Sequence, residues 1–143
     1  MIREFYFDRD IKRMVEIHAA SGLPPECLPN LEIVDQEKNI TIPNPLYIVK
    51  AVMEHEDRPA MMCFLKLTAE IYLLVDHSIG TPEKRWEWLQ EFTNYIARSA
   101  WEHGLEQLTC WVPQEIEESF AKRLKDLGFR RSPWTSYTLN LED

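Results

Sequence analysis

The sequence lacks a long apolar run and has little positive charge. Its longest apolar run, residues 60–65, is far shorter than the roughly 20 residues of a membrane-spanning helix. The opening Met-Ile-Arg-Glu also lacks the apolar core of a signal peptide, so we expect neither a membrane span nor a secretory signal. Sixteen basic residues stand against twenty-four acidic residues, which gives a net charge of −8. This balance disfavours a nucleic-acid partner and mildly favours cationic partners such as amines.

Cysteine is scarce, and several motifs of metal and nucleophile chemistry are missing. The three cysteines, Cys27, Cys63 and Cys110, are odd in number and far apart, which predicts reduced, buried thiols in a cytoplasmic protein. No His/Cys spacing is typical of zinc, so we predict no metal site. A Gly-x-Ser-x-Gly elbow and a nucleotide-triphosphate loop are also absent from the sequence.

What the chain does contain predicts one folded domain over residues 1–143. This length is enough to close a single core, and 45% apolar residues with five tryptophans argue against disorder. Hydrophobic periodicity predicts a mixed α/β domain with the order β-α-(α)-β-β-β-α-β-α-β-β. The predicted strands cover residues 2–7, 46–53, 60–67, 70–76 and 105–112, and two closing strands fall at 129 and 135–141.

The predicted helices begin after Asp8, at Pro82 after its N-cap Thr81, and at Gln114. Residues 21–45 hold five of the nine prolines and should form a covering loop or contain a short helix. The polar segment 54–59 suggests an antiparallel hairpin between its flanking strands. The later strand-helix-strand unit should place two strands parallel, giving one mixed sheet with helices on both faces.

The junction at residues 70–83 is the most informative local feature. Residues 70–76 read as a strand, and residues 77–80 form a turn in which Gly80 permits a positive φ. Thr81 is then a helix N-cap and Pro82 the first helical residue. Free backbone N–H groups at such a junction can hold an anion, commonly a phosphate. Many α/β proteins turn this way without a ligand, so the pattern alone leaves both readings open.

The order of elements resembles that of the GCN5-related N-acetyltransferase family across essentially the whole chain. Ile2-Arg3 followed by Asp10-Ile11 resembles its first strand and helix, and residues 73–75 resemble the end of its cofactor strand. Residues 124–129, Leu-Lys-Asp-Leu-Gly-Phe, resemble the ending of its last helix. The resemblance implies the family's acyltransferase fold. It also implies transfer of an acetyl group from acetyl-CoA to a primary amine.

Three departures from the family pattern concern its chemistry. The pyrophosphate-loop frame falls on residues 80–85, where neither motif glycine is present. The place of the family's frequent general-acid tyrosine holds Leu124, and that of its asparagine falls near Glu117. These departures leave a second reading, an inactive member of the fold that serves as a binding or protein-interaction module.

The resemblance also implies where acetyl-CoA would bind. Its pantetheine would pair with the backbone of Leu73, Leu74 and Val75. The pyrophosphate would rest on the turn and the cations after it. This predicted phosphate site consists of His77, Ser78, Ile79, Gly80, Thr81, Lys84 and Arg85. The alternative for Lys84 and Arg85 is an ordinary solvated helix face.

Two residues are candidates for the base that removes the amine proton. His77 is a candidate because histidine is a common general base, but adjacent phosphates would favour its charged form. Glu70 lies at the entrance of the strand, where an acidic residue is commonly just a solvated carboxylate without a catalytic role.

The acceptor, a small-molecule or peptide amine of cationic character, would enter under residues 21–45. Trp88 lies off the apolar stripe of its helix, and Trp134 lies in a Ser-Pro-Trp turn. Both suggest a homodimer or protein contact.

Overall fold

The computed structural model describes residues 1–141 and contains two compact units. Unit 1 is Met1–Thr68 and unit 2 is Ala69–Asp143. The broad prediction of a mixed α/β chain is confirmed, because both units combine helix and strand. The finer prediction of a single acetyltransferase-like domain stays a prediction.

Unit 1 is built on an antiparallel sheet. Its elements are β1 (Ile2–Glu4), α1 (Phe7–Ser21), a short 3₁₀ helix (Pro25–Cys27), β2 (Glu32–Asp35), β3 (Ile40–Pro43), β4 (Tyr47–His55) and β5 (Arg58–Lys66). The main sheet has the order β1-β4-β5. Glu56 and Asp57 turn the β4–β5 hairpin with φ of 49° and 59°, a conformation that matches the twist of antiparallel strands. The predicted hairpin is therefore confirmed, with its strand ends displaced by a few residues.

Residues 21–45 contain a short helix, as one of the two alternatives predicted, but also a strand hairpin that was not predicted. They hold the short 3₁₀ helix and then the antiparallel hairpin β2–β3. Asp35 fixes the turn of this hairpin, because its Oδ1 accepts hydrogen bonds from the amides of Glu37 (3.0 Å) and Lys38 (3.2 Å). The hairpin was not predicted because prolines, which disfavour strands, flank β2 and β3 and lie at the end of β3.

The core of unit 1 lies between α1 and the main sheet. Phe5, Met14, Leu31 and Val52 form its buried cluster, and half-buried Phe64 packs against them. The Phe5 and Phe64 rings meet edge to face with centroids 5.3 Å apart. Period-two alternation along β5 directs Phe64 inward and leaves Cys63 exposed. The prediction of buried thiols is therefore wrong for Cys63, and it is wrong for exposed Cys27 as well.

A charged network joins the start of α1 to the sheet. Asp10 is only 1% exposed and accepts hydrogen bonds from two Arg3 nitrogens at 2.7 Å and from the Tyr6 amide at 2.9 Å. Nε of Arg3 also donates to Glu54 at 2.7 Å. Arg9 reaches the same Glu54 oxygen at 3.2 Å. Helix α1 begins at Phe7, with Tyr6 rather than Asp8 beside its start, and Asp10 satisfies the Tyr6 amide from inside the first turn.

Unit 2 contains the predicted strand-helix-strand unit. Its elements are β6 (Ala69–Ile71), α2 (Pro82–Glu102), β7 (Leu108–Cys110) and α3 (Gln114–Asp126). Strands β6 and β7 are parallel, with Ala69 opposite Leu108 and Ile71 opposite Cys110. The predicted parallel pairing and the predicted helix starts at Pro82 and Gln114 are confirmed.

Two of the strands predicted in unit 2 are shorter than expected, and the two predicted closing strands are absent from residues 129–141. The strand predicted over residues 70–76 ends at Ile71, and the strand predicted over 105–112 covers only Leu108–Cys110. No strand occurs within residues 129–141, where the side chain of Tyr137 is 93% exposed. Alternating apolar residues form a strand only when a neighbour completes the ladder, and none is paired to this segment. Over residues 1–141 the strands accordingly form three sheets rather than one mixed sheet.

Burial and aromatic residues are distributed unequally. Every residue of the described chain in the most buried class lies in unit 1, whereas α2 and α3 contain none. All five tryptophans lie in unit 2. Among residues 1–141, no helix has the length and apolar character needed to cross a bilayer.

Candidate functional site

The β6–α2 junction begins where β6 ends and leads into a well-capped helix. Thr81 is extended, with φ −93° and ψ 163°, and its Oγ1 accepts a hydrogen bond from the Lys84 amide at 3.1 Å. Pro82 opens the helix with its pre-set φ, and Glu83 complements the helix dipole. The predicted N-cap at Thr81 is confirmed.

Asp76 organises the turn before this cap. Its Oδ1 accepts hydrogen bonds from the Ser78 amide (2.8 Å) and the Ser78 hydroxyl (2.6 Å), and its carbonyl accepts from Ile79 (3.3 Å). The Ser78 hydroxyl bond, followed by the Ser78 amide bond, lowers the pKa of Asp76. Two amides of the predicted phosphate site are therefore engaged within the turn, beside a negative charge.

The remaining amides of the turn are free to bind a ligand. No hydrogen bond from the amides of His77, Gly80 or Thr81 occurs within residues 1–141. These three groups lie at the positive end of the α2 dipole. An anion at this junction would thus contact the first and last parts of the turn rather than its centre.

The Arg85 guanidinium binds carbonyls of the turn, whereas the Lys84 ammonium pairs with Glu87 along the helix. Nη1 of Arg85 donates to the carbonyls of Gly80 (2.9 Å), Ile79 (3.1 Å) and His77 (3.3 Å). Nζ of Lys84 instead lies 2.6 Å from Oε2 of Glu87, and this hydrogen bond raises the pKa of Lys84. Of the two predicted phosphate-binding cations, Arg85 contributes positive charge at the turn and Lys84 is paired along the helix.

The Trp88 ring lies close to Gly80 in the turn. Gly80 has φ +71°, and a Cβ atom built there would lie 2.8 Å from the Trp88 ring carbon Cη2. Glycine is therefore favoured both by the left-handed backbone and by the close indole. Trp88 was expected at a protein contact because it lies off the apolar stripe of α2. Its packing on Gly80 gives the indole an intramolecular role.

The backbone of Leu73, Leu74 and Val75 lies beyond β6 and outside any strand. Their side chains are exposed, and that of Leu74 is 97% exposed. Because no sheet ladder uses these residues, their amides and carbonyls remain available to an extended ligand. This is the feature that a pantetheine arm would need.

Glu70 interacts with two aromatic residues, and these interactions make it a weaker base. The Tyr72 hydroxyl donates to Oε2 of Glu70 at 2.8 Å. This bond, followed by hydrogen bonding from the Trp111 indole, lowers the pKa of Glu70. The bond to Glu70 raises the pKa of Tyr72 in turn. A carboxylate with a lowered pKa accepts a proton less readily, which weakens the case for Glu70 as a general base.

The structure thus places most predicted site residues at one junction and adds others that sequence reasoning missed. Gly80, Thr81 and Arg85 come together, and exposed His77 stands at the edge of the turn. The additional residues are Tyr72, Asp76, Trp88 and Trp111. Asp76 could have been found from the Asp-x-Ser spacing of an Asx turn. The aromatic contacts to Glu70 depend on the pairing of β6 with β7, which local sequence does not reveal.

Comparison with known proteins yields no match to a family model, a curated protein or a solved structure. The resemblance to the GCN5-related N-acetyltransferases therefore rests on the sequence features described above.

Proposed function

We propose that this chain is an acetyl-CoA-dependent N-acetyltransferase that moves an acetyl group directly to a primary amine. The proposal depends chiefly on one observation. The backbone of residues 73–75 lies outside any strand and leads into a Thr81-capped helix whose turn is held by Arg85. These parts supply what an acyl-CoA needs, namely backbone groups for its amide-bearing arm and an electropositive helix start for its phosphates.

In the proposed reaction the neutral amine nitrogen attacks the thioester carbonyl of acetyl-CoA. The new C–N bond forms, the C–S bond breaks, and the amine loses a proton. Backbone amides near residues 73–75 would stabilise the oxyanion. The CoA thiol leaves without an obligatory acid, because a simple thiol has a pKa of about 8.5.

Proton removal on this proposal goes to solvent or to His77. The lowered pKa of Glu70 makes it a poorer acceptor than an ordinary carboxylate. His77 is exposed, and its imidazole is the only other candidate that we identified near the turn.

The proposed location is the cytoplasm, since exposed Cys27 and Cys63 are free thiols and suit a reducing compartment.

The test is calorimetric titration with acetyl-CoA and with analogues that lack its phosphates. We expect binding that weakens when the phosphates are removed. Asp76→Asn should tighten binding severalfold, because it removes negative charge beside the phosphates while keeping an acceptor for the Ser78 amide. Asp126→Asn, which removes one charge at the end of α3, is the matched control. A substitution at Gly80 would be less informative, since the Trp88 contact would distort the turn with or without a ligand.

A second candidate function is an inactive protein-interaction module of the same fold. The observation in its favour is that Asp76 occupies two turn amides and brings negative charge to the place of the phosphates. Exposed Trp134 offers an anchor for a homodimer or another protein. Absence of acetyl-CoA binding at millimolar concentration, together with a stable complex in solution, would favour this function over the enzyme.

A further inference from the structure

Glu70, Tyr72 and Trp111 form a carboxylate–aromatic cluster at the carboxyl ends of β6 and β7. The parallel register pairs Glu70 with Thr109 and Ile71 with Cys110, so Tyr72 and Trp111 each follow the last pair of their strands. The Tyr72 hydroxyl donates a hydrogen bond to Oε2 of Glu70 at 2.8 Å, and the Trp111 indole is near enough to help lower the pKa of this carboxylate. Two aromatic side chains therefore lie beside one negative charge.

The cluster combines features that recognise an organic cation. A carboxylate has about four lone-pair sites, and two donors leave room for an ammonium N–H. Tyrosine and tryptophan rings attract cations through their π faces. Both rings are accessible, with Tyr72 81% and Trp111 58% exposed.

We propose that the carboxylate–aromatic cluster binds the ammonium group of a primary alkylamine. Glu70 supplies the negative charge, and the Tyr72 and Trp111 rings contact the cation and its first methylene groups. Identifying this ligand as the acceptor of the transfer rests on the proposed function. Within that function Glu70 is a substrate anchor rather than the base, and the amine must lose its proton on leaving the cluster.

The binding test does not need acetyl-CoA. The indole N–H resonance of Trp111, assigned by its loss in Trp111→Phe, is followed while butylammonium chloride is added. Butanol, a neutral molecule of nearly equal size, is titrated in parallel. We expect a saturable shift with butylammonium and a much smaller one with butanol. Equal responses to both would overturn the proposal, because they would show an apolar contact without charge recognition.

Substitutions then identify which side chains bind butylammonium. Glu70→Gln keeps the shape of the side chain but should weaken butylammonium binding about fivefold, since it removes the charge that attracts the ammonium group. Tyr72→Phe removes the hydroxyl that orients Glu70 and should weaken binding less. Glu102→Gln, which removes a charge at the end of α2, is the matched control and should have no comparable effect. An unchanged affinity in Glu70→Gln would refute the assignment.

Kinetics separate this inference from the proposed function. If acetyl transfer is observed, Glu70→Gln should raise KM for the amine with kcat nearly unchanged, whereas loss of a base would lower kcat and alter its pH profile. If acetyl-CoA does not bind while butylammonium does, the enzyme proposal fails and the cation site stands. If transfer occurs and Glu70→Gln leaves KM unaffected, the cation site fails and the enzyme proposal stands.

Discussion

Substitution of Asp10 by asparagine tests the charged network at the start of α1. Asp10 is almost wholly buried and receives two 2.7 Å hydrogen bonds from Arg3. Removing one partner of a buried ion pair costs roughly 3–5 kcal/mol, because the other charge is left unpaired in a poorly hydrated place. Arg3 would retain its 2.7 Å bond to Glu54, so we expect the lower end, about 3 kcal/mol.

This loss should appear as a lower urea midpoint for unit 1. With a urea slope of about 2 kcal/mol/M, a loss of about 3 kcal/mol moves the midpoint by roughly 1.5 M. Hydrogen exchange of the Val52 amide in the core of unit 1, measured against urea, reports the change locally. Glu16→Gln breaks the exposed Arg13–Glu16 pair at 3.5 Å and is the control, with an expected loss under about 0.5 kcal/mol.

The same substitution has a defined pH dependence. The hydrogen bonds from Arg3 lower the pKa of Asp10 in the folded state. A lowered folded pKa contributes stability above the unfolded value, about 3.9, and this contribution is lost as pH falls through the folded pKa. The difference between wild type and Asp10→Asn should therefore be largest near neutral pH and shrink in acid. A loss equal to that of Glu16→Gln, or a difference independent of pH, would refute the reasoning.

Three further predictions concern unit 2 and the thiols. Thr81→Ala should cost unit 2 about 1 kcal/mol by removing the N-cap bond, with Thr81→Ser close to wild type in urea unfolding. Gly80→Ala should cost at least about 1–2 kcal/mol, because φ is +71° and the added Cβ meets Trp88; a neutral result would contradict the turn geometry. Cys63 should react with maleimide faster than Cys110, since burial raises the pKa of the Cys110 thiol, and mass spectrometry of timed reactions would reveal the opposite order.

The local features of the fold could be predicted from the sequence, and the non-local ones could not. Thr81 and Pro82 define the start of α2 through residues within one turn of helix, so pattern and structure agree. The strand at residues 135–141 was predicted from alternation alone, yet alternation does not provide a partner strand. Asp10 shows the same limit, because its burial depends on Arg3 and on the sheet beneath it.

The candidate site also combines local features, which the sequence predicts, with non-local features, which it does not. The capped turn and the position of Arg85 follow from residues 76–85, a short continuous segment. The pairing of Lys84 with Glu87 was also open to prediction, since side chains three residues apart on a helix are neighbours. The cluster of Glu70 with Trp111 was not, because it depends on the parallel register of two strands separated by the whole of α2.

The placement of all five tryptophans in unit 2 makes the two units spectroscopically distinct. Intrinsic tryptophan emission follows unit 2 alone, whereas the deepest core, around Val52, lies in unit 1 and has no indole. An emission-monitored unfolding curve and the exchange of unit 1 amides are therefore independent records of the two halves. Coincident midpoints would show that the units unfold as one cooperative body, and separate midpoints would give each unit its own stability.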